Sequence, residues 1–414
     1  MKSEFADKIN HVKRLVREHD KVAEDAISLL ASGNVVSPAV LELMQSDLIY
    51  RAAEGKGDKS IFPGLTHFYE IEAFAEKEVA KAFNAGFAEL RPISGSQANL
   101  IALTSLSNVG DTILVPSIRS GGHVSTSGRI IKELRDYNLI RIRNEKGTLQ
   151  LDREQLITTI DKEKPAILLL GGSMFHDWDP FMKTCFEHVH QHGGKVIFDV
   201  SHVAGLIATK TFPNPLDYGA DLLTTTTCKT IPGPSHGWII GKAEYQQAID
   251  RSTFPGFVSG GHLQEYVGAI VSLFEILKYG KDFGEQIIKN ANVLGKTLEE
   301  GEFSVHRTMN GNYSETHQVI TSDHGKLSAH VIEEELSKIG IFVNANLLPE
   351  HGFKNKFGLR FGTQELTRLG GNETITASIG NLINDFLRED KPNYESYRSK
   401  VLDTKALLRS IKYY

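Results

Sequence analysis

Four short apolar runs constrain the fold of this 414-residue chain more than any other feature. Residues 112–115, 166–170, 196–199 and 222–225 are each β-branched or leucine-rich and are bounded by Gly, Pro or Asp. Helical candidates lie between them at 152–162 and 180–192. A parallel strand pair needs a crossover of a dozen or more residues, so this alternation over about 55–260 predicts an α/β fold with a mostly parallel, doubly wound sheet. Before it, Ile9, Val12, Leu15, Val16, Val22 and Ile27 recur at helical spacing, which predicts an N-terminal helical arm within residues 1–54. The large domain then spans 55–284. A helical stretch over 262–300, apolar on one face through Val267, Ile270, Leu273 and Leu277, leads into a smaller C-terminal α/β domain at 285–390. Its strand candidates are 318–321, 341–343 and 358–361. Residues 391–414 are polar and basic and read as a surface helix or tail.

The net charge of −5 and the lack of a Lys/Arg block give no field for nucleic acid. The charged N-terminus MKSEFADKINHVKRLVREHD lacks the apolar core of a signal peptide, and no apolar run approaches the roughly 20 residues that span a bilayer. Cys185 and Cys228 are the only cysteines and have no metal-like spacing. A cytoplasmic protein without disulfides or a metal site is expected.

Chemistry concentrates in residues 196–241. One strand ends in Asp199, with His202 and Gly205 on the following loop. A second ends in four threonines, Cys228 and Lys229, before the turn Ile231-Pro232-Gly233-Pro234. Carboxyl ends of strands are where α/β folds place ligands. A carboxylate there can keep the ring nitrogen of pyridoxal phosphate protonated, and a neighbouring lysine can supply the amine that holds the cofactor. Taken singly, Asp199 reads as a helix cap and Lys229 as a solvated loop lysine. The wider constellation reverses that reading. Ser94-Gly95-Ser96-Gln97-Ala98-Asn99 opens an apolar helix and makes a phosphate cup, although Ser-Gly-Ser turns also serve as plain caps. In Ser120-Gly121-Gly122-His123, a histidine after glycines is placed to lie against a planar ring.

Together these segments resemble the serine hydroxymethyltransferase family, pyridoxal-phosphate enzymes of the aspartate-aminotransferase-like fold (PLP fold type I). The resemblance runs from about residue 29 to 385, and DVSHVAGLIA and TTTTCKT are its most specific blocks. It implies that Lys229 forms the Schiff base, Asp199 partners the pyridine nitrogen, His123 stacks on the ring and His202 meets the phenolic oxygen. Ser94, Gly95 and Ser96 would hold the phosphate, Ser173 would add a cofactor contact, and Thr226 would belong to the catalytic set. Arg360 would grip the substrate carboxylate with help from Ser32, and Glu54 would be the acid/base at the β-hydroxyl. Gly260-Gly261 matches a glycine pair that the family contributes to the phosphate from a second subunit, so a homodimer with shared active sites is expected.

Departures cluster at the substrate side. Ala52 stands where a tyrosine is usual, Ile61-Phe62 replaces a tyrosine pair, and Cys228 replaces a histidine. Pro234-Ser235-His236-Gly237 replaces a glycine-rich run with an arginine. Cys228 reads either as a small hydrophobe or as a sign of a reshaped pocket. Three readings follow. The first is a hydroxymethyltransferase joining an amino acid to a one-carbon carrier, tetrahydrofolate, whose use these departures count against. The second is a folate-independent aldolase or transaldolase using an aldehyde, which the Lys-Thr-Ile-Pro-Gly-Pro run also resembles. The third is an inactive cofactor-binding scaffold.

Overall fold

The computed structural model describes residues 2–57, 61–325, 327–349, 352–408 and 410–414. Its strands, in chain order, are β1 (Ile27–Ser28), β2 (Phe87–Glu89), β3 (Thr112–Pro116), β4 (Asn138–Ile142), β5 (Ile167–Gly171), β6 (Lys195–Asp199), β7 (Leu222–Thr226), β8 (Gly237–Gly241), β9 (Phe303–Val305), β10 (Gln318–His324), β11 (Ile341–Phe342), β12 (Asn344–Leu347) and β13 (Phe357–Gly362). Seven form one sheet in the order β2-β8-β7-β6-β5-β3-β4. The five strands from β7 to β4 run parallel, while β8 pairs antiparallel with both β7 and β2.

Both faces of this sheet are covered, which is why its central strands are nearly unbroken apolar runs. Leu168, Leu170, Val196, Phe198 and Leu223 point into one core; Ile167, Leu169, Ile197 and Leu222 point into the other. The predicted mostly parallel α/β sheet is therefore present, and the four apolar runs are β3, β5, β6 and β7. The edge strand β4 is only half apolar, and β2, β8 and β12 likewise carried no strand signal in the sequence.

A second sheet, β12-β13-β10-β9, is antiparallel, and β1 pairs in parallel with β11 beside it. Ile27 and Leu29 share a core with Val319, Leu359 and Phe361, so the segment following the N-terminal helix (Lys2–Asp25) is built into the C-terminal core. The expected helical stretch 262–300 is two helices, Leu263–Tyr279 and Lys281–Glu300, broken at Gly280, where φ is 54°. Phe283 and Ile287 of the second helix pack in the large core, and Ala291, Leu294 and Leu298 pack in the C-terminal one, so this helix ties the two together. The C-terminal tail contains a helix (Tyr394–Ala406) that is more than a surface element: Tyr397 and Val401 are buried in that second core. Among the described residues, no helix is long and apolar enough to cross a membrane.

Candidate active site

The carboxyl ends of β5, β6 and β7 lie side by side, with Gly171 opposite Asp199 and Asp199 opposite Thr224. From the other side, β10 and β13 bring Gln318 and Arg360 to the same place. The chain can pass this closely only because of glycine. Gly172 has a φ of 152°, and a Cβ there would fall 2.1 Å from Gly121 O.

Asp199 is buried. Its Oδ1 accepts from the backbone N–H of Ser201 (2.9 Å), and its Oδ2 accepts from Asn99 Nδ2 (2.8 Å). Asn99 is fixed in turn by the Thr224 hydroxyl, which donates to its Oδ1. No cation lies within ion-pair distance of Asp199 among the described residues, so a buried carboxylate retains lone-pair capacity toward the site.

Lys229 Nζ lies 3.1 Å from His202 Nε2. The tautomer of His202 follows from its neighbours. Gln318 Oε1 accepts from Phe175 N–H (2.7 Å), which turns its Nε2 to donate to Ser173 O (3.1 Å) and His202 Nδ1 (2.8 Å). Nδ1 therefore accepts and Nε2 carries the proton, so the 3.1 Å contact is a hydrogen bond to the neutral form of the lysine amine, which alone can accept. Burial holds His202 well below its usual range, and Lys229 and Arg360 reinforce the effect. Burial also pushes the Lys229 amine down to about 8; Asp199 opposes that fall and Arg360 adds to it. A sizeable neutral fraction of a normally charged amine is what a carbonyl-capturing lysine needs.

His123 caps the short helix Val124–Ser127, and its Nδ1 meets the Ser125 hydroxyl at 2.7 Å. Burial lowers its pKa, and the charges of Asp199, Lys229 and Arg360 also act on it, which places all four in one cluster. Arg360 is buried. Its Nη1 donates to Ser173 O, and its Nε and Nη2 share Asn344 Oδ1 (3.3 and 3.2 Å). All three contacts are to neutral oxygens. No carboxylate answers this guanidinium among the described residues, and burial pushes it down to about 10, still charged at neutral pH.

Ser94 caps the helix Gly95–Leu106, accepting from Gln97 N–H (3.2 Å). Gly95 and the exposed Ser96 form its first turn, where free N–H groups and the helix dipole favour an anion. Thr226 sits here also: a Cβ on Gly95 would lie 3.2 Å from Thr226 Cβ. Its hydroxyl is 3.4 Å from Cys228 Sγ. Ser173 serves through its backbone carbonyl. Ser32 is exposed on a loop pinned over the site by Asn34, whose Nδ2 donates to Lys229 O (2.6 Å). Glu54 and Gly260-Gly261 form a separate group: Glu54 Oε1 accepts from Ser259 (2.6 Å), and Gly260 packs on Ala52.

Asn99, Ser125, Gln318 and Asn344 escaped the sequence reading as functional side chains. Asn99 was legible as the residue one helical turn beyond Gly95. Nothing local marked Gln318 or Asn344, which arrive from another sheet.

These residues fit pyridoxal phosphate. An unpaired buried acid stands ready for the ring nitrogen, a partly neutral lysine for the aldehyde, an imidazole N–H for the phenolic oxygen and a helix N-terminus for the phosphate. The comparisons with known proteins agree. The family model described as serine hydroxymethyltransferase matches residues 5–383. Similar curated proteins, each named serine hydroxymethyltransferase, include that of Archaeoglobus fulgidus, 34% identical over 97% of this chain and 92% of its own. Those of Thermoplasma acidophilum (34%) and Methanobrevibacter smithii (33%) each cover 97% of this chain and 95% of their own. The chain belongs to the serine hydroxymethyltransferase family, pyridoxal-phosphate-dependent enzymes of fold type I.

Proposed function

We propose that the protein makes and breaks the Cα–Cβ bond of a small β-hydroxy amino acid, with serine and glycine as the first candidates. One observation carries this reading: Asp199 and Arg360 are buried opposite charges, neither of which has an ion partner among the described residues, within the electrostatic reach of Lys229. Burying such charges singly is costly. A protonated pyridine ring bearing an amino acid supplies both missing counter-charges at once.

When bound on Lys229, pyridoxal phosphate supplies an electron sink for the pair left on Cα. The chain's own residues do the rest. Arg360 clamps the α-carboxylate with a planar fork held by Ser173 O and Asn344, which orients the scissile bond. Asp199, steadied by Asn99, keeps the ring nitrogen protonated. His123 covers the ring, and His202 donates from Nε2 to its phenolic oxygen. Glu54 takes or returns the β-hydroxyl proton. Because Glu54 travels with Ser259 and Gly260, both groups reach the site from a second copy of the chain in this reading. The exposed apolar stripe Phe5, Ile9, Val12, Val16 on the N-terminal helix supports such pairing, and an active monomer by sedimentation would refute it.

Ala52, Cys228 and the exposed Ile61 and Phe62 favour a second reading, a folate-independent aldolase or transaldolase with an aldehyde acceptor. Glycine release measured by mass spectrometry separates the two. Tetrahydrofolate-dependent release from L-serine supports the hydroxymethyltransferase, and release from L-threonine without folate supports the aldolase. Absence of both, in protein that carries the cofactor, points to the inactive scaffold. Lys229→Ala should abolish the release in either active case.

A further inference from the structure

A small cavity lies beneath the turn that carries Gly260-Gly261. Its lining includes Ser259, Gly261, Leu263, Arg91, His236 and Tyr266, and its volume is about 20 Å³. That is room for about one water molecule. The His236 ring is 1% exposed. Its Nε2 lies 2.7 Å from Leu90 O, which can only accept, so Nε2 carries the proton and Nδ1 is bare. Nδ1 is buried and has no partner among the described residues, and the residue borders a cavity of water size. Burial pushes the imidazole down to about 4, so the ring is neutral at neutral pH.

The same ring meets Tyr266 edge-on, with centroids 5.8 Å apart at 76°, and Tyr266 meets Phe68 at 5.5 Å. Tyr266 lies in the opening turn of the helix that Gly260-Gly261 leads into, and its N–H donates to His262 O (3.0 Å). His236 O accepts from Thr227 N–H (3.2 Å), close to Lys229 in the chain. His236 thus joins three parts: the segment from Leu90 toward Ser94, the lysine-bearing loop and the glycine turn.

We infer that His236 is a positioning residue for the Gly260-Gly261 turn, setting its height through ring contact with Tyr266 while its Nε2 is anchored on Leu90 O. The inference rests on the reading that this turn serves the cofactor phosphate of a second copy. It goes further by naming the side chain that fixes the turn.

The test is the dissociation constant of pyridoxal phosphate, titrated by absorbance into the stripped dimer, for His236→Ala, His236→Gln, Gly260→Val and the double variant His236→Ala/Gly260→Val. His236→Ala should weaken cofactor binding about tenfold, equivalent to about 1.4 kcal/mol. His236→Gln can still donate to Leu90 O but lacks the ring that meets Tyr266, so it should recover only part of that affinity. If His236→Ala does not fold, the Gln variant decides, with weakening of about threefold expected from the lost ring, or about 0.7 kcal/mol. The double variant should be no weaker than Gly260→Val alone, because both act through one turn. Native affinity in His236→Ala, or in His236→Gln where that variant decides, overturns the inference, as does strict additivity with Gly260→Val. Unchanged affinity in Gly260→Val instead sinks the reading of the turn as a phosphate contact, a different failure from that of His236.

Discussion

Arg360, on β13, and Arg368, in the short helix that follows (Gln364–Arg368), are both buried guanidinium groups, yet their surroundings differ completely. Arg368 pairs with Glu275, and its Nη1 donates to the carbonyls of Lys412 and Tyr413. Glu275 also accepts from the Ser37 hydroxyl, so one buried ion pair joins the N-terminal segment, the helix Leu263–Tyr279, the short helix after β13 and the chain's last residues. Among the described residues Arg360 meets only neutral oxygens. A buried charge that the protein pairs with its own counter-ion belongs to the architecture. One without a counter-ion among the described residues is, in the function proposed above, kept for an anion from outside.

The comparison breaks most readily through stability. Arg368→Met leaves Glu275 buried without its cation and should cost about 3–5 kcal/mol, read as a lowered denaturation midpoint. Adding Glu275→Leu to that variant should return much of the loss, since an apolar pair often replaces a buried ion pair without penalty. If Arg368→Met is as stable as wild type, the two arginines do not differ in the way argued.

Arg360→Met should do the reverse. No carboxylate is orphaned, so stability holds or rises. The substrate loses its charged fork, however, and kcat/KM should fall about 10²–10³-fold, or about 3–4 kcal/mol. Steady-state kinetics beside a melting curve on the same preparation checks both halves. A variant that keeps its activity removes Arg360 from the site.

The same contrast shows what the sequence could reveal. β3, β5, β6 and β7 were legible because strands buried on both faces must be apolar throughout, and Asp199 and Lys229 stood out at strand ends within specific blocks. Arg360 was recognisable by resemblance, but its lack of an ion partner was not, since that depends on what β10 and β12 bring across from elsewhere. Gln318 and Asn344 are distant in sequence from everything they orient. The edge strand β4 mixes polar and apolar residues because one side of it has no neighbouring strand. Glu54 and Gly260 could be assigned roles, yet their mutual contact through Ser259 follows only from the fold.

The finest distinction between the two arginines is electrostatic. Arg360 helps to hold the Lys229 amine at about 8, whereas Arg368 does not act on it. Trace acetylation of the apoprotein, with Lys229 read by mass spectrometry, measures the neutral fraction without interference from the cofactor's own titration. A lowered pKa means the reactive neutral form grows from about a tenth at pH 7 to about nine tenths at pH 9, so the rate rises only about tenfold and levels off, whereas that of a free amine rises about a hundredfold over the same interval. In Arg360→Met a positive neighbour is gone, the charged lysine is less disfavoured, and the midpoint should move up by less than about one unit, or about 1.4 kcal/mol. Arg368→Met should leave it in place. A midpoint near that of a free lysine in wild type, or equal movement in both variants, would mean that burial and Arg360 do not tune this amine.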